Sequence, residues 1–242
     1  MRTISCLVAA CALLCSGCSS TSADRPITVL AAASLQDVFE AVGEDFTEQT
    51  GVEVTFSFAG SQSLVTQLAE GSPGDVLATA NEKTMNQADD DGTVTDPQPF
   101  ATNTLTLAVA PGNPKGVQGL GDLQRDDLLF VRCASAVPCG TASDKVLANM
   151  DAKPVSEENS VTDVLGKVTG GQADVGLVYS TDVTRSQGAA EAVDFPEAEH
   201  ALNIYPIAVT TQSDDPDAQR FVDHVTGPEG QRLLQEAGFG AP

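Results

Sequence analysis

The sequence predicts an α/β fold built as two lobes, and three observations lead to that prediction. Short apolar runs, typical of buried parallel strands, alternate with stretches of helical periodicity. This alternation begins near residue 27 and begins again near residue 104. The strand-helix-strand order in each half requires a parallel sheet with right-handed crossovers, which defines the layered α/β class.

The first half contains three predicted strands and two predicted helices. The first helix has apolar residues three and four positions apart, with Ser34 as its N-cap, Asp37 completing a capping box and Gly51 as its end. Ser61 can cap the second helix in a similar way. The predicted strands span residues 27–31, 52–58 and 75–79.

The second half repeats this architecture, and the end of the chain adds a strand and two helices that have no partners of their own. The predicted elements are strands at 104–110, 128–132, 173–179 and 202–211, and helices at 141–150, 161–169, 216–225 and 228–237. This last strand and these two helices find partners if the chain crosses back to complete the first lobe. The two hinge connections would then lie near residues 102 and 204. One lobe then comprises 26–102 and 205–242, the other comprises 103–204, and a ligand cleft lies between them.

The N-terminal residues predict that the protein is exported from the cytoplasm. The apolar run after Met1-Arg2 is too short to span a bilayer, which is typical of a secretory signal. It ends in Leu14-Cys15-Ser16-Gly17-Cys18, which resembles a bacterial lipobox and predicts that a lipid on Cys18 holds the protein at the outer face of the cell membrane. Because an aliphatic residue is commoner than Cys15 at its position, a freely secreted protein is the alternative. The predicted segments are a signal peptide at 1–17 and a flexible tether at 18–25.

Composition narrows the classes of function. The 242 residues include 12 Lys plus Arg against 34 Asp plus Glu, a formal charge of −22, which argues against a nucleic-acid binder. Trp is absent and Tyr occurs twice, so the sequence also disfavours a carbohydrate groove or a platform on which bases stack. Apolar residues make up 41% of the chain, which is enough for a core.

Two cysteines, Cys133 and Cys139, lie beyond the signal peptide and the predicted lipidation site at Cys18. They lie six positions apart in an exported protein, so a disulfide between them is expected. The alternative is two separate buried thiols. A metal site is less favoured, because the histidines, His200 and His224, fall in different predicted elements and offer no matching pair.

Four helix starts are candidate anion sites. In a parallel α/β sheet, ligands bind at the carboxyl ends of strands, where the next helix presents unpaired N–H groups and a partial positive charge. Taken singly, each such start is more often an ordinary helix cap. The four are Ala33-Ser34, Gly60-Ser61, Pro138-Cys139-Gly140, and Ser160-Val161 with Asp163 as a capping box.

Together these segments show a family resemblance. The chain carries, in order, Thr28-Val-Leu-Ala-Ala-Ala-Ser-Leu, Phe58-Ala-Gly-Ser, Gly74-Asp-Val-Leu, Val137-Pro-Cys-Gly, Ser160-Val161 and Gly176-Leu-Val-Tyr-Ser-Thr-Asp. Over nearly all of residues 27–239 it resembles the periplasmic molybdate-binding proteins. The resemblance implies a type II periplasmic-binding-protein fold that captures molybdate, and often tungstate, and delivers it to the permease and ATPase of an ABC importer. It implies no cofactor and no metal coordinated by side chains.

The resemblance also implies the ligand-binding residues. The family holds its oxyanion with serine hydroxyls, backbone N–H groups and one tyrosine hydroxyl. Gly60 stands where some relatives have another serine, and Cys139 stands where the family often has Ala. The matching positions are the hydroxyls of Ser34, Ser61 and Tyr179 and the backbone N–H groups of Cys139 and Val161.

All basic residues of the mature chain fall outside these short motifs, so the predicted cage is neutral. A fully deprotonated dianion can accept hydrogen bonds from many neutral donors, whereas hydrogen phosphate brings a proton that finds no acceptor there. Sulfate has no such proton, so rejecting it depends on cage size. We expect a monomer, since a two-lobed receptor presents both lobes to its permease.

Two alternative functions remain compatible with the sequence. A secreted hydrolase could use Ser34 or Ser61 with His200 or His224, but Gly60-Ser61-Gln62-Ser63 is not a nucleophile elbow and the histidines lie in a predicted loop and surface helix. Another binding protein of the same fold could take sulfate, phosphate or ferric iron. A ferric site usually gathers several Tyr and His side chains, which this chain has in small number.

Overall fold

The structure is a computed structural model and describes residues 25–242. The predicted signal peptide, the lipidation at Cys18 and all but the last residue of the predicted tether lie outside the described residues. No helix within the described part of the chain is both long enough and apolar enough to cross a membrane.

Strands and helices alternate through most of the described chain. The strands are β1 (Ile27–Ala32), β2 (Val54–Ala59), β3 (Val76–Ala78), β4 (Val94–Asn103), β5 (Leu105–Val109), β6 (Phe130–Cys133), β7 (Ser156–Glu158), β8 (Val175–Tyr179), β9 (Glu191–Val193) and β10 (Asn203–Thr210). The α-helices are α1 (Gln36–Thr50), α2 (Ser61–Ala69), α3 (Glu82–Asp90), α4 (Pro138–Leu147), α5 (Val161–Thr169), α6 (Ser180–Arg185), α7 (Pro216–Thr226) and α8 (Pro228–Glu236).

The strands form two mixed five-stranded sheets, which confirms the predicted α/β class. The first sheet has the order β2-β1-β3-β10-β4, with β1 parallel to β2 and β3 and with β10 antiparallel to both of its neighbours. The second has the order β7-β6-β8-β5-β9, with β6 parallel to β7 and β8 and with β5 antiparallel to both of its neighbours. The expectation of parallel sheets was therefore wrong, because β5 and β10, the first strand after each crossover, run antiparallel to their neighbours.

The chain passes between the sheets at two adjacent places. It leaves the first sheet at the end of β4 and enters the second at the start of β5, with one residue, Thr104, between the two strands. It returns at the start of β10, and Asn203 there pairs with Asn103 at the end of β4. The two connections therefore lie side by side at one end of the β4–β10 ladder.

Aromatic side chains tie the end of the chain to the first sheet. Phe46 of α1 and Phe221 of α7 meet edge to face with ring centroids 5.4 Å apart, and Phe39 and Phe56 pack around them. Phe39, Phe46 and Phe221 are fully buried. Burying each such ring contributes about 2–3 kcal/mol, so this cluster holds α7 against α1.

The structure corrects several helix starts. Ser34 does not cap a helix: it lies within a short 3₁₀ turn, Ala33–Leu35, and α1 begins after it without a capping box. Ser61 is the first residue of α2, and Gly60 holds the N-cap position. The helix predicted at 141–150 begins earlier, because Pro138 suits the first helical position. At α5 the Ser160 hydroxyl does accept from the Asp163 N–H, as predicted.

Candidate functional site

A small cavity lies where the carboxyl ends of strands from both sheets meet. Its volume is about 20 Å³, just above the roughly 10–15 Å³ that one water molecule needs, so it suits a compact ligand. The segments that line it follow β1, β2, β3, β6, β7 and β8. The lining residues are Ala32, Ala33, Ser34, Gly60, Ser61, Ala80, Val137, Pro138, Cys139, Asn159, Ser160, Val161 and Tyr179.

All five sequence-predicted binding residues lie on this one cavity: Ser34, Ser61, Cys139, Val161 and Tyr179. The fold brings them together because each follows or ends a strand, and the strand ends of both sheets face each other. Residues from the N-terminal half and from the middle of the chain thus share one site.

Three α-helices point their N-termini at the cavity. They are α2, α4 and α5, and the cavity is lined by their first residues. Cys139 and Val161 lie in the first turns of α4 and α5, where N–H groups have no acceptor within their own helix. These ends also carry partial positive charge, so the cavity favours an anion.

The Ser61 hydroxyl is held by a backbone donor. Ser61 is 1% exposed, and its Oγ accepts a hydrogen bond from the Ala80 N–H at 3.1 Å. Ala80 follows β3, which lies beside β1 in the same sheet. This bond therefore joins the segments that follow β2 and β3, the two strands on either side of β1.

The Ser34 hydroxyl meets a tyrosine from β10. Ser34 Oγ and Tyr205 Oη are 3.1 Å apart, and both side chains are buried. Either oxygen can be the donor in this pair. Ser34 therefore has a protein partner in addition to the cavity that it lines.

Tyr179 ends β8 and is 1% exposed. Its Oη accepts a hydrogen bond from Asn203 Nδ2 at 2.6 Å. Burial raises the pKa of the Tyr179 hydroxyl well above its ordinary value. The hydroxyl therefore keeps its proton at neutral pH and can act as a hydrogen-bond donor.

The lining carries no formal charge: none of the described residues that line the cavity is Asp, Glu, Lys, Arg or His. Attraction for an anion must then come from N–H and O–H groups. Such donors, fixed in a site that excludes water, make strong hydrogen bonds to an ionised acceptor.

A disulfide borders the cavity. In the structure Cys133, at the end of β6, is bonded to Cys139, with their Cα atoms 5.7 Å apart. The residue after Cys139, Gly140, packs closely against the backbone, since a Cβ there would lie 1.8 Å from the Ala134 carbonyl oxygen. The loop between the two cysteines is thus held against the start of α4.

A wider groove of about 340 Å³ adjoins the cavity. Ala33, Gly60, Asn159 and Ser160 line both spaces, and the groove also includes the carboxylate of Asp163. It is lined by residues that follow strands of both sheets.

Sequence reasoning missed three contributors to the site: Ala80, Asn159 and Asn203. Ala80 and Asn159 line the cavity, and Asn203 bonds both Tyr179 and the Ala80 carbonyl. No local motif marks them. The one available signal was that polar Asn203 opens an otherwise apolar strand.

The histidines do not lie with the serines. His224 is in the last turn of α7, largely buried against Phe46, with its Nε2 atom 2.9 Å from Asp45 Oδ2. The sequence predicted it within a surface helix; it does lie in a helix, but in the last turn, and its ring packs into the aromatic cluster. His200 lies in a 3₁₀ segment rather than an open loop. Within residues 25–242, no group of three or more His, Cys, Asp or Glu side chains could hold a metal ion.

Comparison with known proteins shows the family to which the chain belongs. Residues 27–240 match the family model of bacterial extracellular solute-binding proteins. Over 227 residues, 92% of this chain and 87% of the relative, the chain is 44% identical to the molybdate-binding protein ModA of Mycobacterium tuberculosis.

Two solved structures show the same fold. The periplasmic molybdate-binding protein of Azotobacter vinelandii has a TM-score of 0.79 at 22% identity, covering 89% of this chain and 99% of that one. The sulfate-binding protein SubI of Mycobacterium tuberculosis has a TM-score of 0.76 at 21% identity, covering 89% and 86%. The chain therefore belongs to the bacterial extracellular solute-binding protein family, in the group that contains the molybdate-binding proteins.

Proposed function

We propose that this chain is an extracytoplasmic binding protein that captures molybdate, and also tungstate, and delivers it to the permease and ATPase of an ABC importer. The observation that carries this proposal is the uncharged 20 Å³ cavity at which helix N-termini and buried hydroxyls converge. The 44% identity to a molybdate-binding protein supports the choice of ligand. The role is capture and release without catalysis.

The cavity chemistry suits a tetrahedral dianion. We assign the hydroxyls of Ser34, Ser61 and Tyr179 and the N–H groups of Cys139 and Val161 as donors to its oxygens. A dianion supplies acceptors to all of them, which gives charge-assisted hydrogen bonds worth about 1.5–3 kcal/mol each. Hydrogen phosphate would have to place its own proton against these donors, so it is disfavoured.

Sulfate is the second candidate ligand, and one observation favours keeping it. A sulfate-binding protein shares the fold with a TM-score of 0.76. Sulfate is also a proton-free dianion at neutral pH, so donor chemistry alone does not exclude it. Discrimination against sulfate then rests on the size of the cage.

The two sheets with their helices would form the two lobes, 26–102 with 205–242 and 103–204, and ligand would be held between them. We place the mature protein at the outer face of the cell membrane, held by a lipid on Cys18 through the tether at 18–25. The Cys133–Cys139 bridge would form after export, and the receptor would act as a monomer.

The first test is calorimetric titration of the mature chain, residues 18–242, with molybdate, tungstate, sulfate and phosphate after dialysis to remove bound ligand. We expect one-to-one binding of the first two and no detectable heat with the others. Binding of sulfate alone would replace molybdate with the second candidate. No heat with any of the four would overturn the oxyanion assignment.

A serine pair supplies a matched comparison. Ser61→Ala removes one proposed donor and should weaken molybdate binding roughly 10-fold or more. Ser63→Ala is the control, because Ser63 lies two residues later in α2 with an exposed side chain. It should change the affinity by less than about twofold.

A further inference from the structure

We propose that Asn203, by donating to the Tyr179 hydroxyl, turns the proton of this hydroxyl away from itself and keeps it available to a ligand in the cavity. The inference rests on the proposed function and adds to it a positioning residue outside the cavity lining. Asn203 lies at the start of β10, where the chain returns to the first sheet.

The orientation of the Asn203 amide is set by its two partners. Asn203 Nδ2 lies 2.9 Å from the Ala80 carbonyl oxygen and 2.6 Å from Tyr179 Oη. A backbone carbonyl can only accept, so the amide atom facing it must be the nitrogen. Its two hydrogens are then used, one on Ala80 and the other on Tyr179.

Tyr179 Oη must therefore accept the bond from Asn203, and its own proton has to point elsewhere. The Tyr205 hydroxyl is a second hydrogen-bonding neighbour of this hydroxyl, and it also pairs with Ser34 Oγ. Because Tyr179 is buried and lines the cavity, its proton can reach a ligand in the cavity as well as Tyr205.

The Ser61 hydroxyl is also positioned by Ala80. The Ala80 N–H donates to Ser61 Oγ at 3.1 Å, while the Ala80 carbonyl holds the Asn203 amide. An N–H can only donate, so Ser61 Oγ accepts and its proton is also free for the ligand. One residue, Ala80, thus orders two hydroxyls that come from different sheets.

The consequence is a site whose hydroxyls are arranged as donors. To accept a proton from a ligand, the Tyr179 hydroxyl would have to give up the Asn203 bond or direct its own proton to Tyr205, whose hydroxyl already pairs with Ser34. Asn203 therefore favours fully deprotonated oxyanions without touching them.

The test is a double-mutant cycle on molybdate affinity with Asn203→Ala, Tyr179→Phe and the double variant of the mature chain. If Asn203 acts through the hydroxyl, Asn203→Ala weakens binding roughly 10-fold when Tyr179 is present. In the Tyr179→Phe background it should weaken binding by less than about twofold, because no hydroxyl remains to be oriented.

The matched control is Asn103→Ala. Asn103 is the register partner of Asn203, and its side chain bonds Thr181 Oγ1 at 2.7 Å and lies beside the Tyr205 hydroxyl, neither of which lines the cavity. It should change the molybdate affinity by less than about threefold. Ligand-free thermal melting checks that each variant is folded, and Asn203→Thr, whose side chain suits a strand, is made alongside Asn203→Ala.

Equal losses from Asn203→Ala in both Tyr179 and Phe backgrounds would overturn the inference, since the residue would then act through structure alone. So would full affinity in a folded Asn203→Ala variant. A wild-type protein that gives no heat with molybdate would show instead that the proposed function has failed, and the two failures are thereby distinguished.

Discussion

The α-carbon of Gly60 faces the backbone carbonyl of Asn159 so closely that a Cβ on Gly60 would lie 2.2 Å from the carbonyl oxygen. Gly60 precedes α2 of the first sheet, and Asn159 follows β7 of the second. Its dihedral angles, φ −59° and ψ 134°, are open to any residue. Glycine is therefore required here because a side chain would clash with the Asn159 carbonyl, and not because of the backbone conformation.

Gly60→Ala should weaken molybdate binding roughly 10-fold or more while leaving the ligand-free melting temperature nearly unchanged. The added methyl group cannot be accommodated by a flexible side chain, because its neighbour is backbone, so the lobes must move apart. Calorimetric titration gives the affinity and small-angle scattering the ligand-bound dimensions.

Gly166→Ala is the control for this change. Gly166 lies within α5, and a Cβ there would meet nothing within 4 Å. Alanine should stabilise that helix by about 0.5–1 kcal/mol without altering the affinity. If Gly60→Ala binds molybdate as tightly as wild type, the contact with Asn159 does not limit closure.

Tyr205→Phe should lower the free energy of unfolding of the ligand-free protein by about 1–2 kcal/mol. The substitution removes the Tyr205 hydroxyl and leaves the buried Ser34 hydroxyl without its partner at 3.1 Å. Urea unfolding checks this value. Ser34→Ala in the Tyr205→Phe background should restore part of the loss, since no unpaired hydroxyl then remains; strictly additive losses would show that the two groups are not coupled.

The fold could be predicted where its signals are local. The helix predicted at 161–169 begins and ends where the structure has α5, because a serine cap, apolar spacing and a terminal glycine all lie within it or next to it. β4 was not predicted. It contains Pro97 and Pro99, which disfavour a strand, and it is held at the sheet edge by β10, about a hundred residues later.

In the candidate site, too, the residues with local sequence signals could be predicted and those fixed by distant contacts could not. Ser61 and Val161 could be found from helix starts, and the order of parallel strands brings such starts to one edge. Asn203 could not be found, because its bond to Ala80 joins residues 123 positions apart. That contact exists only after the chain has crossed to the second sheet and returned.

Replacing both Cys133 and Cys139 with Ser should weaken molybdate binding and lower the free energy of unfolding by roughly 2 kcal/mol. The bridge fixes the loop that leads to the Cys139 N–H, one of the proposed donors. Without it, this loop must be ordered when the ligand binds, which costs affinity. Calorimetry of the double variant and thiol titration of the denatured, unreduced wild type check the two parts. Two free thiols in the wild type together with unchanged affinity in the variant would contradict this role.

The buried carboxyl of Asp182 should make stability depend on pH in a direction opposite to the usual aspartate. Burial raises its pKa to about 6, although Arg185 Nε at 3.1 Å and the Tyr179 N–H at 3.0 Å favour the ionised form. An unfolded chain has an aspartate pKa of about 3.9. The folded state therefore holds the proton more tightly, so this group's contribution to stability is full below about pH 4 and is lost as pH rises to about 6.

Asp182→Asn removes that titration while keeping an oxygen that can accept the Tyr179 N–H. The free energy of unfolding of the variant, minus that of wild type, should therefore rise by roughly 2–3 kcal/mol between pH 4 and pH 7. Urea unfolding of ligand-free protein at several pH values in this window measures the difference, and other titrating groups cancel because both proteins share them. A difference that is flat or falls with pH would mean that Arg185 outweighs burial and that Asp182 is ionised throughout.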